Sequence, residues 1–188
     1  FVGIGLIHGE VERRTIYTIL SKPVSRTDFL LGKWLGLVLT VWMQLVLMGV
    51  AFTAVSLATG APLDAGHVTA LSMVGMELVV VVAIATFFSS FTTPMLSALF
   101  TLGIWAAGHL SRDLYALGQQ AENPTLTTAA TWLYRLLPDL EGFNLTIQAV
   151  HGLPITAEEV ALPILYGVGY ATAVLIAAAA IFRRRDMK

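Results

Sequence analysis

Long apolar stretches separated by polar segments dominate the chain, and their lengths predict helices that cross a membrane. A helix that crosses about 30 Å of hydrocarbon needs about 20 apolar residues. The stretches that approach or meet this length cover residues 34–59, 70–91, 95–110 and 160–182. The stretch at 95–110 is the shortest, with 16 residues. Residues 1–9 begin with an apolar run and no methionine, so we expect the end of an earlier span whose start is missing.

Composition supports a membrane protein. The chain is 56% hydrophobic and 12% charged, with a mean hydropathy of +0.77, whereas soluble domains carry about 25% charged residues. We therefore predict an all-α fold, a polytopic transmembrane helical bundle with four full spans plus the end of an earlier one. The net charge of −1 gives no overall attraction to nucleic acid. The absence of cysteine excludes disulfides, thiolate metal ligands and a cysteine nucleophile.

Basic residues are concentrated in two segments, which predicts the orientation of the chain. Nine of the eleven Lys and Arg residues lie there. They are Arg13, Arg14, Lys22, Arg26 and Lys33 in residues 10–33, and Arg183, Arg184, Arg185 and Lys188 in the tail at 183–188. Four spans return the chain to the side it left, and basic loops stay in the cytoplasm. We expect a multi-pass protein of the inner (cytoplasmic) membrane with a cytoplasmic C-terminus.

The connection at 111–159 then lies on the outer side and is too long for a simple turn. Its apolar positions repeat at helical spacing near Trp132, Leu136 and Leu140, and Pro138 interrupts the pattern late. This pattern predicts a short amphipathic helix. It lies either at the outer membrane interface or on the spans as a lid.

The polar segment at 10–33 predicts a second short helix, which lies across the cytoplasmic face. Charged residues crowd its start, Ile16 and Leu20 form an apolar face, and Pro23 limits its length. Carboxylates such as Glu10 and Glu12 are favourable at a helix N-terminus. The alternative is a basic loop that only touches anionic lipid.

Two kinds of polar residue within the apolar part are candidates for function. Glu77 lies inside the second stretch, where a charge costs about 2.5–3.5 kcal/mol at a helix centre. It is a candidate for a cargo pathway or a helix interface, or it is a carboxyl bonded to a neighbouring helix. His67, His109 and His151 fall near the outer ends of stretches. Their spacing favours separate histidines over a shared copper or haem site, so we predict no metal.

Several motifs resemble one family of transporters. They are EVERRTIYTILSKPVSR and LLGKWLG in the first polar segment, FFSSFTTPMLSALFTLGIWAAGHLSRDL and LLPDLEGFNL further on, and the closing IFRRRDMK. Together they resemble the ABC transporter type-2 permeases, most closely the branch associated with multicopper-enzyme maturation and nitrous-oxide reductase assembly. The resemblance covers essentially the whole chain. It implies a fragment of a six-span permease that exports its cargo and works as a dimer with a second copy or homologue.

In this family the first cytoplasmic loop carries the coupling helix, which docks on a partner ABC ATPase subunit. The resemblance implies that the docking residues are Glu10, Glu12, Arg13, Arg14 and Thr15, and that Lys22, Pro23 and Arg26 fix the return to the membrane. The chain has no phosphate-binding loop of its own, because Thr27 and Trp34 stand where that motif needs Gly and Ser or Thr. We expect no enzyme activity and no cofactor here, with ATP bound by the partner subunit.

Two other functions stay open on the residues alone. One is a secondary transporter or channel-like protein without an ATPase. The other is a membrane anchor or haem-binding subunit of a redox complex. Co-purification with an ATP-binding subunit would distinguish the permease from a transporter or channel without an ATPase. A haem absorption band would indicate the subunit of a redox complex.

Overall fold

Helices make up nearly all of the regular structure in the computed structural model, which describes residues 25–61, 63–121 and 123–184. The helices are α1 (Arg26–Thr59), α2 (Ala65–Ser89), α3 (Pro94–His109), α4 (Ser111–Gln120), α5 (Pro124–Leu136), a 3-10 turn (Glu141–Phe143), α6 (Thr146–His151) and α7 (Ala157–Arg184). No strand occurs within those three ranges, and the predicted all-α class is confirmed.

Three of the described helices, α1, α2 and α7, are long and apolar enough to cross a membrane. The fourth predicted span corresponds to α3, which has only 16 residues. At about 1.5 Å per residue its length is about 24 Å, less than the hydrocarbon thickness of about 30 Å. Three candidate spans and one short helix therefore stand where the sequence predicted four full spans.

The first two helices begin earlier than their apolar stretches, because polar residues cap them. We expected spans from Trp34 and Ala70, but α1 begins at Arg26 and α2 at Ala65. Ser25 Oγ accepts a hydrogen bond from the Asp28 backbone N–H at 3.1 Å, and the Ser25 N–H donates to Asp28 Oδ2 at 3.2 Å. This reciprocal cap satisfies N–H groups that a helix start leaves without partners. The last part of the expected loop at 10–33 is therefore helix.

Helix α2 is the centre of the bundle and packs against α1, α3 and α7. Its buried residues Met73, Val80 and Ile84 form a core with Leu140 and Phe143 from the long connection. Gly167 of α7 permits this packing, because a Cβ there would lie 2.8 Å from the Phe143 ring. The Phe143 ring of the connection therefore lies between α2 and α7.

The connection at 111–159 contains more structure than the single predicted amphipathic helix. Helices α4 and α5 form a tight hairpin, in which a side chain at Gly118 would overlap Ala130. Helix α5 ends at Leu136, shortly before Pro138, and much of its apolar surface is exposed. The residues that follow are the ones that bury themselves against the long helices, since Leu140 and Phe143 are fully buried.

Candidate functional site

The start of α1 and the end of α7 meet at one end of the bundle, which we call the basic end. Leu30 of α1 and Ala178 and Phe182 of α7 form a buried apolar cluster there. Phe29 of α1 and Phe87 of α2 pack against it. Three long helices are thus joined by apolar side chains at this end, and we refer to these five residues as the basic-end cluster.

The two basic segments are in direct contact at the basic end. Arg26 Nη1 donates a hydrogen bond to the Arg183 carbonyl oxygen at 3.4 Å. The Phe29 and Phe182 rings stack with centroids 6.5 Å apart, and Lys33 Nζ lies 4.9 Å from the Phe29 centroid. The basic residues therefore surround the apolar cluster. The side of the membrane that this end faces stays a prediction.

Most of the predicted ATPase-docking residues lie outside the described residues. They are Glu10, Glu12, Arg13, Arg14, Thr15, Lys22 and Pro23. Arg26 is described, and it is the first residue of α1. Its docking role and that of the other residues stay predictions.

Glu77 is buried near the middle of α2, with 9% of its surface exposed. The indole N–H of Trp105 on α3 donates to Glu77 Oε1 at 3.0 Å. His109 Nε2, also on α3, lies 3.5 Å from the same oxygen. The carboxylate therefore lies at the interface of two helices, with partners from α3. Its predicted role in a cargo pathway or helix interface stays a prediction.

Trp105 and His109 also contact each other, because four residues along a helix bring side chains to the same face. Their ring centroids are 4.8 Å apart. His109 Nδ1 lies 3.1 Å from the Trp105 carbonyl oxygen, which can only accept, so a hydrogen bond between them needs the hydrogen on Nδ1. The i, i+4 spacing is visible in the sequence. The sequence could not show that this pair meets Glu77, which comes from another helix.

The histidines that the sequence placed near the outer ends do not come together. His67 pairs with Asp64 Oδ1 at 2.7 Å and stacks on Phe52 at 5.9 Å. The His67 hydrogen bond lowers the pKa of Asp64. His151 Nδ1 lies 3.0 Å from the Ile147 carbonyl oxygen. Within the described ranges, no group of three His, Cys, Asp or Glu residues is arranged to hold a metal ion.

A second polar group connects the α4–α5 hairpin to α7. Arg112 donates from Nε and Nη2 to Asp139 Oδ2, at 3.1 and 2.8 Å. The Asp139 backbone N–H donates to the Tyr166 hydroxyl at 3.1 Å. The hydrogen bond to Asp139 raises the pKa of Arg112. These residues line an open cavity of about 400 Å³ between the hairpin and α7.

Long apolar helices around a central helix, with a buried carboxylate at a helix interface, define a polytopic helical membrane protein. The sequence model of the ABC-2 family transporter protein matches residues 1–187, and the chain belongs to this family. No curated protein and no solved structure matches it. The family supports a membrane-embedded permease subunit of an ABC transporter rather than an enzyme, with an ABC ATPase as its general partner.

Proposed function

We propose that this chain is one half of a dimeric, ATP-driven exporter and that its segment at 10–33 transmits movement from a separate ATPase subunit. Family membership supports the transport role. The motif resemblance supports the type-2 exporter class and the branch associated with multicopper-enzyme maturation. The basic bias of the two cytoplasmic segments supports a place in the inner membrane with the C-terminus inside.

The basic-end cluster is the observation that carries the proposal. Residues 25–33 already belong to this end, because α1 begins at Arg26. A force applied to the preceding segment reaches Leu30 and Phe29, whose packing against Phe182 and Phe87 passes it to α7 and α2. Packed helices shift as units rather than deforming continuously. A small displacement at the segment would therefore move three long helices together.

The charges of the segment favour a protein partner over lipid. A loop that binds anionic lipid gains from Lys and Arg but not from carboxylates. Glu10 and Glu12 stand directly beside Arg13 and Arg14. Charges of both signs at a contact surface instead select a partner with the complementary pattern.

Exposed side chains along α1 support a partner inside the membrane as well. Leu39, Met43 and Leu47 are all largely exposed in the single chain. Lipid or a second copy of the chain covers such surfaces in a membrane. A dimer would place two basic ends side by side, as a pair of ATPase subunits requires.

The test is an exchange of charge within the segment. The variant Glu12→Arg with Arg13→Glu keeps the net charge, so the chain should insert as before. We expect loss of the ATP-binding subunit that co-purifies with the parent chain, identified by photolabelling with azido-ATP. Disrupting an interfacial charge pair costs about 2–5 kcal/mol, or at least a tenfold loss of affinity.

The matched control is a similar exchange on the other side of the predicted membrane. Arg135→Glu with Glu158→Arg also keeps the net charge and changes residues of the α5 end and the α7 start. It should leave recovery of the ATP-binding subunit unchanged. Full recovery with the Glu12 and Arg13 exchange would overturn the coupling role. Equal losses in both variants would show that the segment is not the specific docking site.

A further inference from the structure

We infer that Glu77 and His109 form a proton-binding site between α2 and α3, in which one proton is shared by Glu77 Oε1 and His109 Nε2. Trp105 holds the carboxylate in place with its indole N–H. The inference does not depend on ATPase coupling or on the direction of transport. It concerns a site where the ligand is a proton.

The hydrogen on His109 Nδ1 requires the shared proton. Because Nδ1 donates to the Trp105 carbonyl oxygen, Nε2 of a neutral ring would present a lone pair to Glu77. An ionised Glu77 would present a lone pair in return, across 3.5 Å. Two acceptors that face each other repel. One proton on either atom removes the conflict, and it leaves the pair with no net charge.

Burial strengthens the case for a proton. A lone carboxylate in the middle of a membrane helix is costly, and such residues pair with a group of opposite charge or bind a proton. Glu77 is 9% exposed, and its partners are the Trp105 indole and His109. A positively charged His109 ring or a protonated Glu77 both meet this requirement.

The other ionisable groups around the site leave the proton to this pair. Helix α1 has none between Lys33 and Thr59, and His67 is the other ionisable residue of α2, held by Asp64. Glu141 of the 3-10 turn acts electrostatically on Glu77, but it accepts a hydrogen bond from Asn144 at 2.9 Å. Tyr170 of α7 packs on the core beside α2. His151 of α6 bonds to its own helix.

The shared proton also joins two helices. Along α3, Ser97 Oγ donates to the Ala85 carbonyl oxygen of α2 at 3.3 Å. The Glu77 site makes the corresponding polar contact near the other end of α3. Removing the proton would leave two facing acceptors and weaken that end alone. The site therefore makes the position of the α3 end sensitive to pH.

Tryptophan fluorescence of the purified chain in lipid nanodiscs tests the inference, because a protonated imidazole quenches a neighbouring indole. Of the described tryptophans, Trp105 is the one whose ring contacts a histidine. We expect the tryptophan fluorescence of the parent chain to show a transition with pH. It should be absent from Trp105→Phe and from His109→Gln.

Glu77→Gln tests the sharing itself, since it keeps the shape and removes the charge. A nearby opposite charge favours the protonated ring, so removing the carboxylate should lower the pH at the midpoint of the transition. His67→Gln is the control: His67 also pairs with a carboxylate and an aromatic ring but contacts no tryptophan, and its midpoint should not move. The inference is overturned if the parent shows no transition, if His109→Gln keeps it, or if Glu77→Gln leaves the midpoint unchanged.

Discussion

The two ends of the bundle are held together by different kinds of contact. At the basic end, apolar side chains and stacked rings make most of the contacts between α1, α2 and α7, and the Arg26 hydrogen bond to the Arg183 carbonyl oxygen lies beside them. Toward the opposite end, α2 meets α3 through Glu77, Trp105 and His109. There Arg112 of α4 pairs with Asp139, whose backbone N–H donates to the Tyr166 hydroxyl of α7. Apolar packing has no directional requirement and no dependence on pH. The polar contacts have both.

This difference suggests a division of labour within the chain. A packed apolar cluster transmits movement as one unit, since interiors are close-packed and change shape little. Hydrogen bonds and ion pairs hold only in one geometry and in one protonation state. The basic end is therefore suited to receive a mechanical input.

The largest expected effect is the presence or absence of cysteine labelling. It tests which side of the membrane each end of the bundle faces. The chain contains no cysteine, so single cysteines at Ser21 and Thr125 would be labelled without background. Because basic loops stay inside, an impermeant thiol reagent should reach Thr125→Cys in intact cells, and Ser21→Cys only after the membrane is opened. Labelling of both positions from one side would contradict the predicted orientation of the two ends.

The next largest effect is a loss of stability when the Phe182 ring is removed from the basic end. Phe182 is buried, and Phe→Ala changes at such positions cost about 3–5 kcal/mol of stability. Thermal unfolding in detergent should show this loss equally at low and high pH and salt. Phe52→Ala, where 51% of the ring surface is already exposed, should cost clearly less. A loss that varies strongly with pH would remove the contrast between the ends.

A smaller loss is expected when the buried carboxylate is removed. Glu77→Ala leaves the Trp105 indole N–H without its acceptor beside apolar side chains and lipid, and an unpaired donor shielded from water costs about 1–3 kcal/mol. Glu77→Gln should recover most of this, because its side-chain oxygen can still accept. Thermal unfolding of the two variants beside the parent measures the difference. Equal stability of Glu77→Ala and the parent would mean that the contact does not hold α2 and α3 together.

The ion pair between Arg112 and Asp139, within the long connection, should matter less and depend on salt. Asp139→Asn weakens the attraction to Arg112, whose side chain is half exposed, so we expect about 1 kcal/mol or less. The loss should shrink as salt screens the charges. Unfolding temperatures at low and high salt measure it. A loss that does not change with salt would indicate packing rather than charge.

The smallest expected effect is at the start of α2 and appears only in acid. The His67 hydrogen bond lowers the pKa of Asp64 below its usual value of 3.8, so the folded state favours the ionised form. Its contribution is present above pH 3.8 and is lost as the pH falls through the lower folded value. The protection of the backbone amides of residues 65–69 against hydrogen exchange should therefore fall in this acid range. Asp64→Asn should show little further change with acid over this range.

Sequence reasoning found the long helices but not their limits, their partners or all the short helices of the connection. The apolar stretches indicated α1, α2 and α7, because hydrophobic length is a local property. The sequence reasoning did not predict that α1 begins at Arg26, since the cap formed by Ser25 and Asp28 was not recognised. Glu77 was recognised as a candidate because a carboxylate is costly within an apolar stretch. Its contact with Trp105 and His109 depends on how α2 and α3 pack against each other. The pattern of either stretch alone does not contain this information.

The short length of α3 has a consequence for the lipid around it. Its 16 residues span about 24 Å, about 6 Å less than the hydrocarbon layer. A bilayer adapts to such a mismatch by thinning locally. The headgroup region beside α3 would then descend toward His109, the last residue of the helix. Water would then lie close to His109, although α3 packs among the long helices. Protons would have a short path from this water to the site at Glu77 and His109.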